Sequence, residues 1–225
     1  SFSRFLNHLK NKTYLKRYLH IGTPEIYGTT GKVIDETAAA NPSTPYAVSR
    51  NAQDEMLRLF LQRYELPYVT VRSANVYGPH QQLWKIIPRS FLYLASNKKI
   101  ELHGGGLSRR SFIHIRDVSH GEFLALEHGK PGDIFHLSTS EAIEIRELVK
   151  RICKMAGKTF EENTVCEAER PGQDLAYLLD TKRAKEQLGW SPKISLDEGL
   201  TQVRDWVDAH YDELLHEPLE YDHRP

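Results

Sequence analysis

The sequence contains little cysteine and no long apolar run, and each scarcity argues against a class of protein. Its 225 residues include two cysteines, Cys153 and Cys166, which form neither a CxxC pair nor a metal-ligand cluster. We therefore expect two buried, reduced thiols in a cytoplasmic protein without a disulfide framework or metal site. The apolar runs fall short of the roughly 18 residues that a membrane-spanning helix needs. No membrane partner is expected.

Net charge is also missing. Lys and Arg number 30 and Asp and Glu number 30, so the formal charge at pH 7 is zero. Proteins that bind nucleic acid usually carry a basic surface, which this balance does not indicate. The sequence therefore favours a small molecule over nucleic acid as its partner. The composition, 40% hydrophobic and 27% charged, is that of a globular protein of one domain or two small ones.

A Gly-rich loop between a strand and a helix is the third absence. Such a loop holds the phosphates of a dinucleotide at a helix N-terminus. The only glycine cluster here, Gly104–Gly106 in HGGGLSRR, lies between two predicted strands and lacks the strand-turn-helix context. The printed sequence therefore contains no recognisable dinucleotide loop of this kind.

The apolar pattern predicts alternating helices and strands in the first part of the chain. A helix at the start is followed by the strand YLHIG, a helix from Thr44 to about Tyr64, and the strand LPYVTVRSANVYGP. This order predicts parallel βαβ units. The fold class is therefore α/β, with part of a Rossmann-like parallel sheet.

After residue 80 the predicted elements become shorter and more mixed. They are a helix near 88–97, the strands IELHG and RSFIHI, a helix over 117–128, the strand DIFHLST, the helix IEIRELVKRICKMAG, a strand around NTVCEA and two late helices. This mixture predicts a smaller α+β lobe.

Chemistry is expected in the loops that follow the first two strands, near Gly22 and Ser73, because ligands of open α/β sheets bind beyond the carboxyl ends of the strands. Thr23 offers a hydroxyl there, and Glu25 offers a carboxylate that can move a proton. A threonine or glutamate in a loop can equally be a helix cap or a solvated side chain.

Tyr46 and Arg50 form the second candidate pair. They lie four residues apart in a predicted helix, which places the phenol and the guanidinium on one face. A fixed cation favours the phenolate and so lowers the pKa of a tyrosine toward the range where it can act as a base. Surface packing is the alternative explanation of such a pair.

The order of these features matches a known family. The motifs are GTPEIYG, TPYAVSRNAQDEML, VRSANVYGP, KIIPRSF, HGGGLSRRSFIHIRDV, ERPGQD and LGWSP, which together cover almost the whole chain. The sequence resembles the extended short-chain dehydrogenase/reductase family, specifically its NAD-dependent nucleotide-sugar epimerases and dehydratases, and most of all the dTDP-glucose 4,6-dehydratase group.

The resemblance implies transient oxidation of a sugar at C4 by NAD, loss of water across C5 and C6, and return of the hydride to C6. In that scheme Tyr46 is the base, supported by Arg50, Thr23 hydrogen-bonds the 4-hydroxyl, and Glu25 takes the C5 proton. The implied cofactor contacts are Gly22, Tyr46, Arg50, Ser73, Asn75 and Val76.

The resemblance also implies a nucleotide-diphosphate sugar as the substrate and a homodimer as the assembly. Residues 1–80 would be the C-terminal part of the NAD-binding Rossmann-like domain. Residues 81–225 would be mainly the substrate-binding lobe, with some elements returning to the sheet. The implied substrate contacts are Thr23, Asn75, Lys85, His103, Arg110 and Arg170.

Three departures from the family pattern bear on activity. Pro24 occupies the position of an aspartate that protonates the departing 6-hydroxyl, and Arg50 replaces a lysine. The Gly-rich loop is missing, so we expect either a piece of a longer polypeptide or a product without its cofactor-binding half, with an exposed sheet edge in both cases. The alternatives are a UDP-glucuronate decarboxylase-like or 4-epimerase activity, or a non-catalytic fragment or degenerate paralogue that binds a sugar nucleotide or a partner chain.

Overall fold

The computed structural model describes residues 1–29, 31–168 and 178–220. The helices are α1 Phe2–Leu9, α2 Pro45–Tyr64, α3 Ile86–Ala95, α4 Ile115–His128, α5 Ile145–Met155, α6 Phe160–Asn163, α7 Lys182–Leu188, α8 Leu196–Ala209 and α9 Tyr211–Leu214. The strands are β1 Tyr18–Ile21, β2 Val33–Ile34, β3 Tyr68–Ser73, β4 Asn75–Tyr77, β5 Ile100–His103, β6 Arg109–Arg110, β7 Phe112–His114, β8 Ile134–Leu137, β9 Ile143–Glu144, β10 Thr164–Glu167 and β11 Leu178–Leu179.

A parallel sheet in the order β1-β3-β8 forms the centre of the first part of the fold. Its register pairs Ile21 with Val71 and Ser73 with Leu137, so all three strands end at the same edge. Beyond that edge β4 pairs in parallel with β7. The predicted α/β class and parallel sheet are confirmed.

Helix α2 begins and ends where its sequence dictates. The Thr44 hydroxyl accepts a hydrogen bond from the Ala47 N–H at 3.1 Å, and Pro45 occupies the first turn, where its missing N–H costs nothing. Glu65 adopts a left-handed conformation at the other end and closes the last turn. The helix predicted from Thr44 to about Tyr64 is therefore present.

The second part of the chain packs α3, α5 and α8 around one apolar core. Leu92, Leu148, Ile152, Val203 and Val207 are buried there. β5 pairs in parallel with β10, and β6 pairs with β9 in antiparallel orientation. The structure thus contains the mixed strands and helices that the sequence predicts after residue 80.

Three local expectations were wrong. The predicted strand RSFIHI is divided at Ser111 between two short strands, β6 and β7. The helix predicted from Ile143 begins only at Ile145, because Ile143 and Glu144 form strand β9 and pair with β6. Cys153 is buried as expected, but Cys166 is exposed in β10. Strand residues alternate between the two faces of a sheet, so one of them can carry a thiol to the surface.

The two edges of the central sheet differ. Among the described residues, no strand pairs with the outer side of β1, whose Ile21 is 46% exposed, so β1 is the expected open edge. At the other edge, the His136 backbone N–H in β8 donates to the Glu36 carboxylate at 2.8 Å. That side chain satisfies a backbone group that a neighbouring strand would otherwise pair.

His136 is fully buried and connects the sheet to the loop that follows β1. Its Nε2 lies 2.8 Å from the hydroxyl of Tyr27, whose ring meets the imidazole edge to face. Burial lowers the pKa of His136 from 6.5 to about 4, and the positive charge of Arg72 acts in the same direction. The imidazole is therefore neutral at pH 7.

Acidification should destabilise the fold through His136. Between pH 6.5 and pH 4 the unfolded chain takes up a proton at this residue and the folded chain does not, so the stabilisation is present above pH 6.5 and lost as the pH falls. We expect a loss of about 3 kcal/mol in the free energy of unfolding between pH 7 and pH 4. Urea titrations at each pH would measure it.

Burial raises the pKa of Glu36, so this residue makes the folded state more stable as the pH falls, which is opposite to the effect of His136. A matched pair of variants separates the contribution of His136 from that of Glu36. His136→Gln should flatten the pH dependence, whereas His120→Gln, at an exposed histidine of α4, should keep the wild-type dependence. An unchanged pH dependence in His136→Gln would disprove the assignment.

Candidate active site

The turn after β1 holds the predicted Thr23 and Glu25 in a fixed local conformation. Thr23 is extended, as a residue before proline prefers, and its hydroxyl oxygen accepts from the Glu25 N–H at 3.3 Å. Pro24 begins a short 3₁₀ turn, Pro24–Tyr27, and is buried. The proline therefore helps to form the turn, but it has no proton to donate.

Glu25 lines a cavity of about 670 Å³ at the carboxyl end of the sheet. Thr44, which caps α2, and Asn75 and Val76 of β4 line the same cavity. Its far side is formed by α3, β5 and the loop that leads to β6, so the cavity lies between the two parts of the chain. Polar and apolar groups both face it, as in sites that bind small molecules.

Tyr46 and Arg50 lie on α2 but outside the set of described residues that line this cavity. The Tyr46 side chain is 52% exposed, and its hydroxyl makes no hydrogen bond within the described chain. Arg50 donates from Nη2 to the carbonyl of Ile21 at the end of β1, and from Nη1 to Gln53 Oε1 at 3.0 Å. The guanidinium is therefore anchored to the sheet edge.

The predicted cofactor residues Gly22 and Ser73 lie at the ends of β1 and β3. The Gly22 N–H donates to the Val71 carbonyl at 2.8 Å, and Ser73 pairs with Leu137. The Asn75 side chain donates to the Ser111 carbonyl at 3.1 Å, which fixes its amide. These residues share the sheet edge that parallel strands make available to a ligand.

Three predicted substrate residues from after residue 80 line the same cavity. Lys85 at the start of α3, His103 at the end of β5 and Arg110 of β6 all line it. The His103 Nδ1 lies 3.2 Å from the Ala168 carbonyl, and Arg110 donates from Nη1 to the Arg109 carbonyl at 2.9 Å. Arg170 lies outside the described residues.

Sequence reasoning missed two charged residues of this cavity, Arg89 and Glu101. Arg89 follows Lys85 by four residues, so both project from one face of α3. That spacing was the signal that could have identified it. Glu101 alternates with Leu102 along β5, and a single strand residue carries no comparable signal.

The chain is similar to known proteins in both sequence and structure. Residues 2–203 match the family model described as GDP-mannose 4,6 dehydratase. A dTDP-D-glucose 4,6-dehydratase of Mus musculus is 31% identical over 203 residues, which are 88% of this chain and 57% of that protein. The chain thus spans little more than half the length of such relatives.

Solved structures of nucleotide-sugar dehydratases and epimerases are also similar to this chain. DesIV, a dTDP-glucose 4,6-dehydratase from Streptomyces venezuelae with NAD bound, superposes with a TM-score of 0.87 at 28% identity, over 97% of this chain and 66% of that one. A UDP-glucuronic acid 4-epimerase from Bacillus cereus, in complex with UDP-glucuronic acid and NAD, superposes with a TM-score of 0.88 at 25% identity, over 93% and 67%. The chain belongs to the GDP-mannose 4,6 dehydratase family.

Proposed function

We propose that this chain is the greater part of an NAD-dependent nucleotide-sugar 4,6-dehydratase. The observation that carries the proposal is the single cavity that Glu25, Lys85, Arg89 and Arg110 all line. Three cations suit the diphosphate of a nucleotide sugar, and a carboxylate in the same cavity suits proton transfer at the sugar. In this proposal residues 1–80 belong to the NAD-binding domain, and residues 81–225 mainly hold the substrate.

The residues at the sheet edge fit the nicotinamide end of NAD. Tyr46 is half exposed and its hydroxyl has no hydrogen-bond partner within the described chain, and Arg50 keeps further N–H donors beyond the two contacts described above. No Gly-rich helix N-terminus for the pyrophosphate occurs among the described residues. NAD, when bound, would supply the hydride acceptor for C4 of the sugar.

The protein's own residues would handle the protons. Tyr46, as the base, would take the proton of the 4-hydroxyl, and Thr23 would orient that hydroxyl. The Thr23 oxygen already accepts from the Glu25 N–H, so its own proton can be donated to the substrate. Glu25, in the cavity, would remove the proton at C5.

Elimination is the step that this chain would perform in an unusual way. The leaving 6-hydroxyl needs a proton, and buried Pro24 cannot supply one. Glu25 or a water molecule would have to supply that proton instead. The structural similarity to a UDP-glucuronic acid 4-epimerase supports a second candidate, epimerisation at C4, because that reaction needs no leaving-group acid. A decarboxylase-like activity would also avoid that requirement.

Replacing Tyr46 by phenylalanine should abolish turnover. The full-length polypeptide, incubated with dTDP-glucose and NAD, should form a 4-keto-6-deoxy sugar, and loss of the phenolic proton acceptor should reduce kcat by at least about 100-fold. Product formation can be followed by mass spectrometry of the nucleotide sugar. Tyr14→Phe, at a tyrosine that is 71% exposed, is the control and should leave turnover unchanged.

A nucleotide sugar that binds without forming any keto intermediate would support the non-catalytic alternative instead. UDP-glucose, UDP-glucuronic acid and GDP-mannose should be assayed beside dTDP-glucose, because the described residues do not identify the nucleobase of the substrate. Binding in every series without turnover would contradict the proposed enzyme activity.

Replacing Pro24 by aspartate should increase elimination relative to epimerisation. The new carboxyl group would lie between Thr23 and Glu25 and could protonate the leaving hydroxyl. The measured quantity is the ratio of 6-deoxy product to C4 epimer. Pro24→Asn, which matches the shape without the acid, should not raise this ratio. An equal ratio in both variants would exclude a missing acid as the cause.

We also propose a homodimer formed through α2. Val48 and Leu59 lie three turns apart on one side of this helix and are 54% and 47% exposed, so each offers an apolar contact to a second copy of α2. Leu59→Glu should convert dimers to monomers in sedimentation experiments. Leu107→Glu, at an exposed leucine of the second lobe, is the control. Wild-type protein that sediments as a monomer would refute the dimer.

A further inference from the structure

We propose that Arg72 is a positioning residue: it fixes the turn that carries Thr23 and Glu25 relative to the helix that carries Tyr46. This inference rests on the proposed function, because it concerns the same reacting groups. Arg72 lies in β3, the central strand of the sheet, and is only 4% exposed. Its guanidinium is therefore held inside the protein, beneath the candidate active site.

One end of the guanidinium binds α2. Arg72 Nη2 lies 2.8 Å from Asp54 Oδ2, and the other carboxylate oxygen lies 3.3 Å from His20 Nε2. Asp54 follows Tyr46 by two steps of four residues, with Arg50 between them, so the three side chains share one side of the helix. The contact fixes the face of α2 that presents Tyr46.

The other end of the guanidinium binds the turn. Arg72 Nη1 donates to the hydroxyl of Tyr27, and the guanidinium carbon lies 5.1 Å from the centre of that ring. Arginine only donates, so the Tyr27 oxygen accepts this bond, and the same hydroxyl forms a second hydrogen bond, of 2.8 Å, with His136 Nε2. Tyr27, which is 2% exposed, is thus fixed two residues after Glu25.

Arg72 also supports the beginning of the same turn. A Cβ atom added to Gly22 would lie 3.1 Å from Arg72 Cγ, so the backbone of Gly22 rests directly on the arginine side chain. The methylene groups of Arg72 therefore lie under residue 22, and its guanidinium holds residue 27. Thr23 and Glu25 lie between these two supports.

Electrostatics make this arrangement hard to change. Burial alone would raise the pKa of Asp54, but hydrogen bonds from His20 and Arg72 and the charge of Arg72 lower it overall, so the carboxylate stays ionised. Moving Arg72 away would leave a buried charge without its partner, which is strongly unfavourable. The helix and the turn are consequently held to one relative position.

A lysine could not replace this function. The planar guanidinium reaches Asp54 and Tyr27 from two different nitrogens, whereas an ammonium is a single point of charge. Arg72→Lys keeps the buried charge and the ion pair with Asp54, but it loses the simultaneous contact with Asp54 and Tyr27, which is the bridge between α2 and the turn. Tyr27→Phe keeps the ring and removes only the hydroxyl, and so tests the bridge from the other side.

The test measures kinetics and amide hydrogen exchange on the full-length polypeptide. In Arg72→Lys we expect kcat to fall about 10- to 100-fold, because small displacements of reacting groups have effects of that order. KM for the nucleotide sugar should stay within about twofold, because the cavity cations are untouched. Exchange in the peptide spanning residues 22–28 should become faster. Tyr27→Phe should show the same changes.

Arg183→Lys is the matched control. Arg183, in α7, pairs with Asp133 at 2.6 Å, and its guanidinium carbon lies 5.5 Å from the centre of the Phe135 ring. Like Arg72, it combines an ion pair with an aromatic contact, but it does so near the start of β8 and it does not bridge α2 to the turn after β1. It should lower stability without changing kcat or the exchange of residues 22–28. A thermal melt of each variant separates global destabilisation from the local effect.

The two proposals fail in different ways. An inactive wild-type protein would refute the proposed function, and hydrogen exchange would still decide the role of Arg72. Unchanged exchange at residues 22–28 in both Arg72→Lys and Tyr27→Phe would overturn the positioning role. An equal loss of kcat in Arg183→Lys would also overturn it, because the effect would then be one of stability alone.

Discussion

A buried positive charge at the centre of the parallel sheet constrains this protein more than any other single contact. The Arg72 guanidinium must remain paired, and the partners within reach are Asp54 on α2 and Tyr27 on the turn after β1. These partners belong to the two elements that carry Tyr46 and Glu25. One electrostatic requirement therefore sets the relative position of groups that are far apart in the sequence.

The candidate site forms where two kinds of structure meet. Parallel strands end together at one edge, so the turn after β1 and the polar residues of β4 lie side by side. α3 and β6, with the residue just before α3, add Arg89, Arg110 and Lys85 to the lining of the cavity. The carboxylate of Glu25, from the turn after β1, thus shares the cavity with three cations that come from the later part of the chain, together with Glu101 of β5. None of the described helices is both long and apolar enough to cross a bilayer.

Much of this could be predicted because the signals are local. A capping threonine and Pro45 define the start of α2, and the motif around Glu25 predicts a turn after a strand. The errors occurred where pairing at a distance decides the structure. Ile143 has the spacing of a helical residue, but it pairs with Arg110 in a neighbouring strand, and Cys166 became exposed through its position in β10. Arg89 was missed although its spacing from Lys85 was visible.

The sequence by itself indicated most of the element types, the family and the presence of a proline between Thr23 and Glu25, because each depends on residues that are close in the chain. Only the tertiary structure decided that Glu25 shares a cavity with the cations, that Arg50 binds the sheet edge through Ile21, and that Arg72 joins α2 to the turn. The reason is physical: a buried charge selects its partners by distance in space, which strand register and helix packing fix and sequence spacing does not.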